Sequence, residues 1–326
     1  MNPETDDSWP MIEEAVQRVF RDLADGPGTH TALGRQLTDL GWADIEADYP
    51  IQAAELLFRA QGHRLTSTDC LDRVMLAELA TALTMPADAV LLPPPGSHLP
   101  ASRHRRIAGI VVGPLRGRIA VPVTGPESVE LTVIDAECLR GEPVDTFDSS
   151  VLWTSVDGDI QAASTDAADP WRRAMAAAQR ALATELVAIA DRLLAIAAEH
   201  AGVRRQFGQP IGAFQAVRHR LADARASVDG ARALTTEAWQ YGGALPAVLA
   251  KAAAGRAHRT AADAAMQTCG AIGLTAEHSL HRYVARGIQL DALCGSHLGL
   301  ETAIASELFD GHAGAAQPLP AVIGCG

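Results

Sequence analysis

Basic residues are in short supply in this 326-residue chain: 27 lysines and arginines stand against 39 acidic residues, a net charge of −12. That deficit argues against a nucleic-acid surface, which needs a basic face. Lysine is almost missing, with Lys251 alone beside 26 arginines. The one local basic run, Arg103-His104-Arg105-Arg106, reads as a solvated loop. Cysteine is scarce as well: Cys70, Cys138, Cys269, Cys294 and Cys325 form no C-x-x-C pair and are odd in number. Such a set argues against a disulfide framework and for reduced thiols in a cytosolic protein. No apolar run approaches the roughly 20 residues that a membrane span requires. The start, MNPETDDSWP, is acidic and polar, unlike a signal or transit peptide, so a cytoplasmic location is expected. Also missing are G-x-S-x-G, H-E-x-x-H, any Walker-type loop, and a metal-ligand spacing among the eleven histidines.

The remaining composition, 48% hydrophobic and 20% charged, is that of an ordinary globular protein large enough for more than one domain. Residues 9–25 carry Ile12, Val16, Val19, Phe20 and Leu23 on one helical face, with Gly26-Pro27-Gly28 as the stop. A second helix is expected from about Thr31 to Leu40, ended by Gly41, and two more at about 50–61 and 69–84. Residues 1–90 therefore read as a helical domain. Pro86 and Pro93-Pro94-Pro95-Gly96 break the pattern. The runs IAGIVVG, RIAVPV, SVELTVID and SVLWTSV that follow are short and rich in β-branched residues, so 91–166 reads as a small β domain of roughly five to seven strands.

At Asp169-Pro170-Trp171 a new helix is expected, with Asp169 as the cap and Pro170 in the first position. Met175, Leu182, Leu186, Ile189, Leu193 and Ile196 then form one apolar stripe. A helix from about Phe214 to Tyr241 carries Phe214, Val217, Leu221, Val228 and Leu234 and stops at Gly242-Gly243. An alanine-rich helix at about Pro246–Ala271 and shorter ones near His278–Gln289 and Leu298–Phe309 complete a bundle over 167–326. The fold class is mainly α with a small β domain.

Between the first two bundle helices stands Arg204-x-x-Phe207-Gly208-x-Pro210-Ile211-x-x-Phe214-Gln215. This text closely resembles the turn between two C-terminal helices of acyl-CoA dehydrogenases, which are FAD-dependent. Gln267-Thr268-Cys269-Gly270-Ala271-Ile272-Gly273 resembles the family's Q-x-x-G-G-x-G element, with Ala271 in place of one glycine. Leu37-x-x-Leu40-Gly41-Trp42 is similar to the start of many members, and the helical, β, helical order matches throughout. The resemblance implies an acyl-CoA dehydrogenase-like architecture: an N-terminal helical domain, a reduced middle β domain and a C-terminal four-helix bundle. It also implies cofactor-binding roles toward FAD for Arg204, Gln206, Phe207, Ile211, Phe214, Gln267, Gly270 and Ala271. In the family the arginine and phenylalanine of this turn reach a neighbouring subunit's flavin nucleotide.

That chemistry takes an α-proton from a fatty-acyl thioester with a glutamate while hydride passes to the flavin, so a base and a polarised carbonyl share the work. Here the resemblance is incomplete. No E-P-x-x-G-S-D stretch stands between Pro93 and Asp166, and Trp153-Thr154-Ser155 reads better as a packed strand than as a flavin wall. Cys294 occupies the place of the loop glutamate, in register with Ile304-Ala305-x-Glu307-Leu308. The alternative base position, on the first bundle helix, falls near Ala178; Glu185 in Ala183-x-Glu185-Leu186-Val187 reads as a structural contact. No catalytic residue is therefore expected.

The resemblance is strongest to the smaller, non-catalytic subunit of heteromeric α2β2 acyl-CoA dehydrogenases of bacterial steroid catabolism, which share the text Gly273-x-Thr275-x-Glu277-His278-x-x-His281-x-Tyr283. It implies a larger partner that carries the glutamate and binds most of the acyl-CoA, with electron-transfer flavoprotein as acceptor. Two other readings stay open: an active homotetramer using Asp291 or Cys294 as base, and a flavin-free scaffold.

Overall fold

A computed structural model describes residues 8–25, 33–103, 106–125, 128–148, 150–160, 164–275 and 277–309. The expected Gly26-Pro27-Gly28 stop, the helix start at Thr31, His104 and Arg105 of the basic run, and Cys325 lie outside them.

Helix α1 (Trp9–Asp25) matches its apolar spacing: Val16 and Phe20 are buried, and Ile12, Val19 and Leu23 pack partly buried beside them. The helix expected at about 31–40 is α2 (Gly34–Asp39), ended at Gly41 as expected, and an unanticipated short helix, α3 (Trp42–Asp48), follows it. Gly41 between them takes φ 67°, a left-handed conformation that turns the chain and buries Trp42. Helices α4 (Pro50–Arg64) and α5 (Cys70–Leu79) follow; the first runs three residues past its expected end and the second stops five short of it. Buried Asp72 on α5 accepts a bond from Val90 N at 2.8 Å, which hangs the first strand on the helical layer.

The strands are β1 (Ala89–Val90), β2 (Arg106–Val112), β3 (Arg118–Thr124), β4 (Val129–Asp135), β5 (Arg140–Val144), β6 (Trp153–Asp159) and β7 (Thr165–Asp166). They form a four-stranded sheet, β1-β3-β4-β7, and a three-stranded sheet, β2-β6-β5. Only the β1–β3 pairing is parallel among the described strands. Ile107, Val111, Ile119, Val121 and Val156 fill a small core between the sheets, while Ile110, Leu131 and Trp153 join the larger helical core.

Helix α6 (Ala168–Val203) is the axis of the molecule, about 54 Å long at 1.5 Å per residue. Leu182, Leu186, Ile189 and Leu193 are fully buried, each contributing about 1.5–3 kcal/mol. Its start departs from expectation. The helix begins at Ala168 with no side-chain cap, so Asp169 is its second residue and pairs with Arg172 at 2.8 Å, and Pro170 is its third. A two-stranded hairpin, β8 (Arg205–Gln206) and β9 (Gln209–Pro210), leads to α7 (Gln215–Tyr241). On α7 only Ala224, Val228, Ala231, Thr235 and Ala238 are buried. Leu234 of the expected core stripe is 41% exposed, and Phe214 precedes the helix.

Gly242-Gly243 joins α7 to α8 (Ala244–Cys269), whose buried alanines let it lie close along α6. Helices α9 (Leu280–Asp291) and α10 (His297–Phe309) close the described chain. With joints this short, α6, α7 and α8 alternate in direction. The C-terminal ends of α6 and α8 therefore lie at the same end of the bundle. No described helix is long and apolar enough to cross a membrane.

Candidate functional site

At that shared end the chain leaves α6 at Arg204 and turns sharply. Gln206 pairs with Gln209, so Phe207 and Gly208 are the two turn residues, with φ 51° and 82°. Positive φ at both places marks a type I′ hairpin turn. Glycine adopts it freely, whereas a bulky side chain such as Phe207 is held there at a cost of about 1–3 kcal/mol. Yet the Phe207 ring is 92% exposed. Among the described residues its one ring contact is with Phe214, edge-on at 6.2 Å between centroids. Strain without burial leaves this side chain unexplained by the stability of its own chain.

The two arginines of the turn differ. Arg205 donates to Gly208 O at 3.0 Å and braces the hairpin. Arg204 is exposed and takes part in no ion pair among the described residues. The Gln206 amide donates to Arg205 O at 2.8 Å, and Ile211 is half-buried against the bundle. Across the end of α8, Gln267 and Ala271 are exposed, and Gly270 has φ 62° with open space where a side chain would stand. Gly273 serves packing instead, since a Cβ there would lie 2.7 Å from Leu280 Cδ2. The fold thus brings Arg204, Phe207 and Phe214 together, and sets Gln267, Gly270 and Ala271 on the neighbouring helix end.

His200 lies in the last turn of α6, where its carbonyl accepts Arg204 N at 2.9 Å. Burial lowers its pKa below the usual value, and the nearby charges of His278 and Arg204 lower it further. His278 belongs to the text singled out in the sequence, but its proximity to His200 was not legible there, because only the parallel packing of α6 and α8 makes them neighbours.

The loop where the family places its base is closed. Cys294 is fully buried at φ 55°, and burial pushes its thiol up to about 12 despite Lys251 nearby. Gln179 on α6 donates to Cys294 O at 3.1 Å. Lys251, the sole lysine, is fully buried on α8 and donates to Asp291 O at 3.0 Å and Gly295 O at 3.1 Å. The Asp291 carboxylate is shared between Lys251 at 3.5 Å and His297 Nδ1 at 2.6 Å, and Glu301 pairs with Arg256. From the β side, Gly96 N donates to Ala292 O at 2.7 Å. These bonds occupy both carboxylates that flank the loop. A lysine that is unique in the sequence and set in an alanine-rich helix was the available signal for this brace.

The other positions on the inner face are structural. Ala178 is fully buried. Trp153 is a buried strand residue, and Thr154 donates to Gly113 O at 2.8 Å. Glu185 is buried where all three layers meet, accepting from Gln61 Nε2 at 2.8 Å with Arg286 Nη1 at 3.8 Å. Burial raises its pKa to about 7, outweighing the Arg286 charge, because Arg286 is already committed to Asp148 at 2.6 Å.

Residues 171–294 match the family described as Acyl-CoA dehydrogenase, C-terminal domain. Acyl-CoA dehydrogenase IpdE2 of Mycobacterium tuberculosis (strain ATCC 25618 / H37Rv) is 39% identical over 105 residues, 32% of this chain and 33% of that protein. The chain therefore spans about a third of the length of that curated relative. Among solved structures, the Tcur3481–Tcur3483 steroid ACAD superposes with a TM-score of 0.76 at 21% identity, covering 93% of this chain and 98% of that one. The ChsE4–ChsE5 complex from Mycobacterium tuberculosis gives 0.74 at 21% identity, covering 94% and 99%. An α–β–α fold closing on a long-helix bundle defines the class. The chain has the acyl-CoA dehydrogenase fold, and residues 171–294 carry that family's C-terminal domain.

Proposed function

We propose that this chain is a non-catalytic subunit of a heteromeric, FAD-dependent acyl-CoA dehydrogenase that desaturates a bulky, steroid-derived CoA thioester. A larger partner carries the glutamate and most of the substrate site, in an α2β2 assembly that passes electrons to an electron-transfer flavoprotein. The observation that carries this reading is Phe207, strained and exposed beside an Arg204 that forms no ion pair among the described residues. The residues there fit one half of FAD: Arg204 suits a diphosphate, the Phe207–Phe214 pair suits a planar ring, and Gly270 leaves room for close approach. Arg204, Gln206, Phe207, Ile211, Phe214, Gln267, Gly270 and Ala271 would hold it. Bound there, FAD would supply the hydride acceptor for the partner's substrate.

The inner face supports the division of labour. The loop bearing Cys294 is tied to the loop at Gly96, and its carboxylates are paired, so an active homotetramer using Asp291 or Cys294 is disfavoured. A steroid ACAD and the two-component ChsE4–ChsE5 complex share this fold, which supports the same reading.

Purification of the chain alone and together with a full-length homologue that retains the glutamate tests it. Flavin absorbance is expected only in the co-purified complex, with Arg204→Ala lowering its flavin occupancy. A yellow, active homomer would overturn the proposal, and a colourless complex would favour the scaffold. Cys294→Ala is expected to leave turnover of the complex within about twofold, because a buried thiol held near pKa 12 is neither base nor nucleophile at neutral pH. A large loss in that variant would return a catalytic role to Cys294.

A further inference from the structure

We propose that the cavity between the N-terminal helices and the β domain, lined by Asp69, Asp72 and Asp88, is a binding site for a guanidinium group. None of these residues belongs to the hairpin or to the Cys294 loop, and the inference does not depend on the flavin reading.

The cavity has a volume of about 340 Å³, roughly ten times the share of one water in the liquid. Each carboxylate is fixed by one backbone bond. Leu33 N donates to Asp69 Oδ1 at 2.9 Å, Val90 N to Asp72 Oδ1 at 2.8 Å, and Arg118 N to Asp88 Oδ2 at 2.8 Å. The second oxygen of each has no partner among the described residues. Depth increases from exposed Asp88 through half-buried Asp69 to Asp72, which is only 7% exposed.

The backbone bonds account for the acceptors and leave the charges unexplained. An asparagine would hold Val90 N or Arg118 N as well, without burying a charge or setting three like charges around one volume. The chain does not supply the counter-ion. Arg73, next to Asp72 on α5, pairs with Glu46 at 3.6 Å instead. Arg116, which lines the cavity from the exposed β2–β3 turn, forms no ion pair among the described residues. Three carboxylates against this one guanidinium leave the cavity net negative.

The spread of the oxygens selects the cation. No group of three or more His, Cys, Asp or Glu among the described residues is arranged to hold a metal ion. Oxygens that face one volume without converging on a point suit a cation with separated donors, and a guanidinium offers five N–H groups in one plane. Val111, Val112 and Pro114 form an apolar wall on which an aliphatic stem can pack. A partner protein's arginine or a small free guanidine would carry such a group.

The test is ligand-detected NMR on the full chain at pH 6 and pH 8, with four probes: N-acetyl-arginine methylamide, its citrulline and lysine counterparts, and agmatine. Saturable binding of the arginine probe is expected, with the uncharged citrulline probe about tenfold weaker. Asp72→Asn keeps an acceptor for Val90 N, so its fold, checked by circular dichroism, should be retained while affinity at pH 8 drops about tenfold. A second signature separates binding from a structural role. Burial raises the Asp72 carboxyl to about 7, Asp69 adding to the rise and the Val90 bond opposing it. The other charged groups lining the cavity with it are Asp88 and Arg116. A bound cation favours the ionised carboxylate, so wild-type affinity should increase as pH rises through about 7, and Asp72→Asn should lose that slope. Tighter binding of the capped arginine than of agmatine points to a protein-borne side chain, and the reverse order to a free guanidine. Absence of saturable binding, equal affinity for the citrulline or lysine probe, or a folded Asp72→Asn variant with wild-type affinity and slope would overturn the assignment.

Discussion

Replacing Arg286 by alanine is expected to lower the unfolding free energy by about 3–5 kcal/mol, as removal of one partner of a buried ion pair generally does. The side chain is almost wholly inaccessible and spends its donors on two parts of the fold, the segments around Leu65–Thr66 and Asp148–Ser150. Nε reaches Asp148 Oδ2 at 2.6 Å, Nη1 reaches Thr66 O at 2.7 Å, and Nη2 reaches Leu65 O at 2.9 Å and Ser150 Oγ at 3.1 Å. Alanine would leave the Asp148 carboxylate without its cation and two buried carbonyls without donors. Burial works to raise the Asp148 pKa, but the Arg286 charge and the bonds from Ser150 and Arg286 hold it below the usual value. A depressed acid stabilises the fold above its unfolded pKa of about 3.9 and loses that contribution as pH falls through the folded value. The penalty of Arg286→Ala should therefore be full at pH 7 and shrink in acid.

Glu185→Gln provides the contrast. Its carboxyl is raised to about 7 by burial, so the folded protein holds a proton that the unfolded chain releases near 4.3. Wild-type stability should fall as pH rises from about 5 to 7, and the glutamine variant should not share that slope. Urea midpoints across this range measure both. A loss under 1 kcal/mol for Arg286→Ala at pH 7 would contradict the account.

Restoring the family's glutamate at Cys294 is expected to restore no chemistry. In a complex whose catalytic partner has lost its own base, Cys294→Glu should leave acyl-CoA-dependent flavin reduction at the background of the base-less enzyme, several orders of magnitude below wild type for loss of a general base. The reason lies in the surroundings. The residue sits at φ 55°, fully buried, with its carbonyl held by Gln179 and the next carbonyl held by Lys251. At Gly295 any side chain would meet Leu300 Cδ2 at 2.6 Å, so the loop has little freedom to open. A new carboxylate would find buried Lys251 as its counter-ion and stay ionised, directed into the bundle. Substrate-dependent bleaching of the flavin in this variant would show that the loop can open and would revive an active homomer.

Much of the architecture was legible in apolar spacing. The bounds of α1 follow from one continuous face, and the long stripe on α6 follows from four leucine and isoleucine positions that all proved buried. Boundaries set by single residues were less legible. Asp169 looks like a cap, but the backbone already turns helical at Ala168, and the side chain pairs with Arg172 instead. Leu234 continues a periodic pattern, yet the packed face of α7 is narrow and made of small residues, so Leu234 falls outside it. Gly41 reads as a helix end and is one, but the short helix that starts directly after it, at buried Trp42, was not legible in the sequence.

The candidate site divides along the same line. Resemblance to two family elements marked Arg204, Phe207 and Gly270 as candidates, whereas the two-residue turn that strains Phe207 emerged only in the structure. The same resemblance set Cys294 in the place of the family's glutamate, through the register of the downstream Ile304-Ala305-x-Glu307-Leu308 text. Tertiary structure alone decided the rest. The common end of α6 and α8 brings His200 and His278 to the arginine, and the solitary Lys251 meets the Cys294 loop from another helix. Exposure of Phe207 and closure of Cys294 are likewise properties of packing, set by which faces the bundle buries. Residue spacing encodes what each segment can form; which charges and rings share a volume is fixed only when distant segments pack.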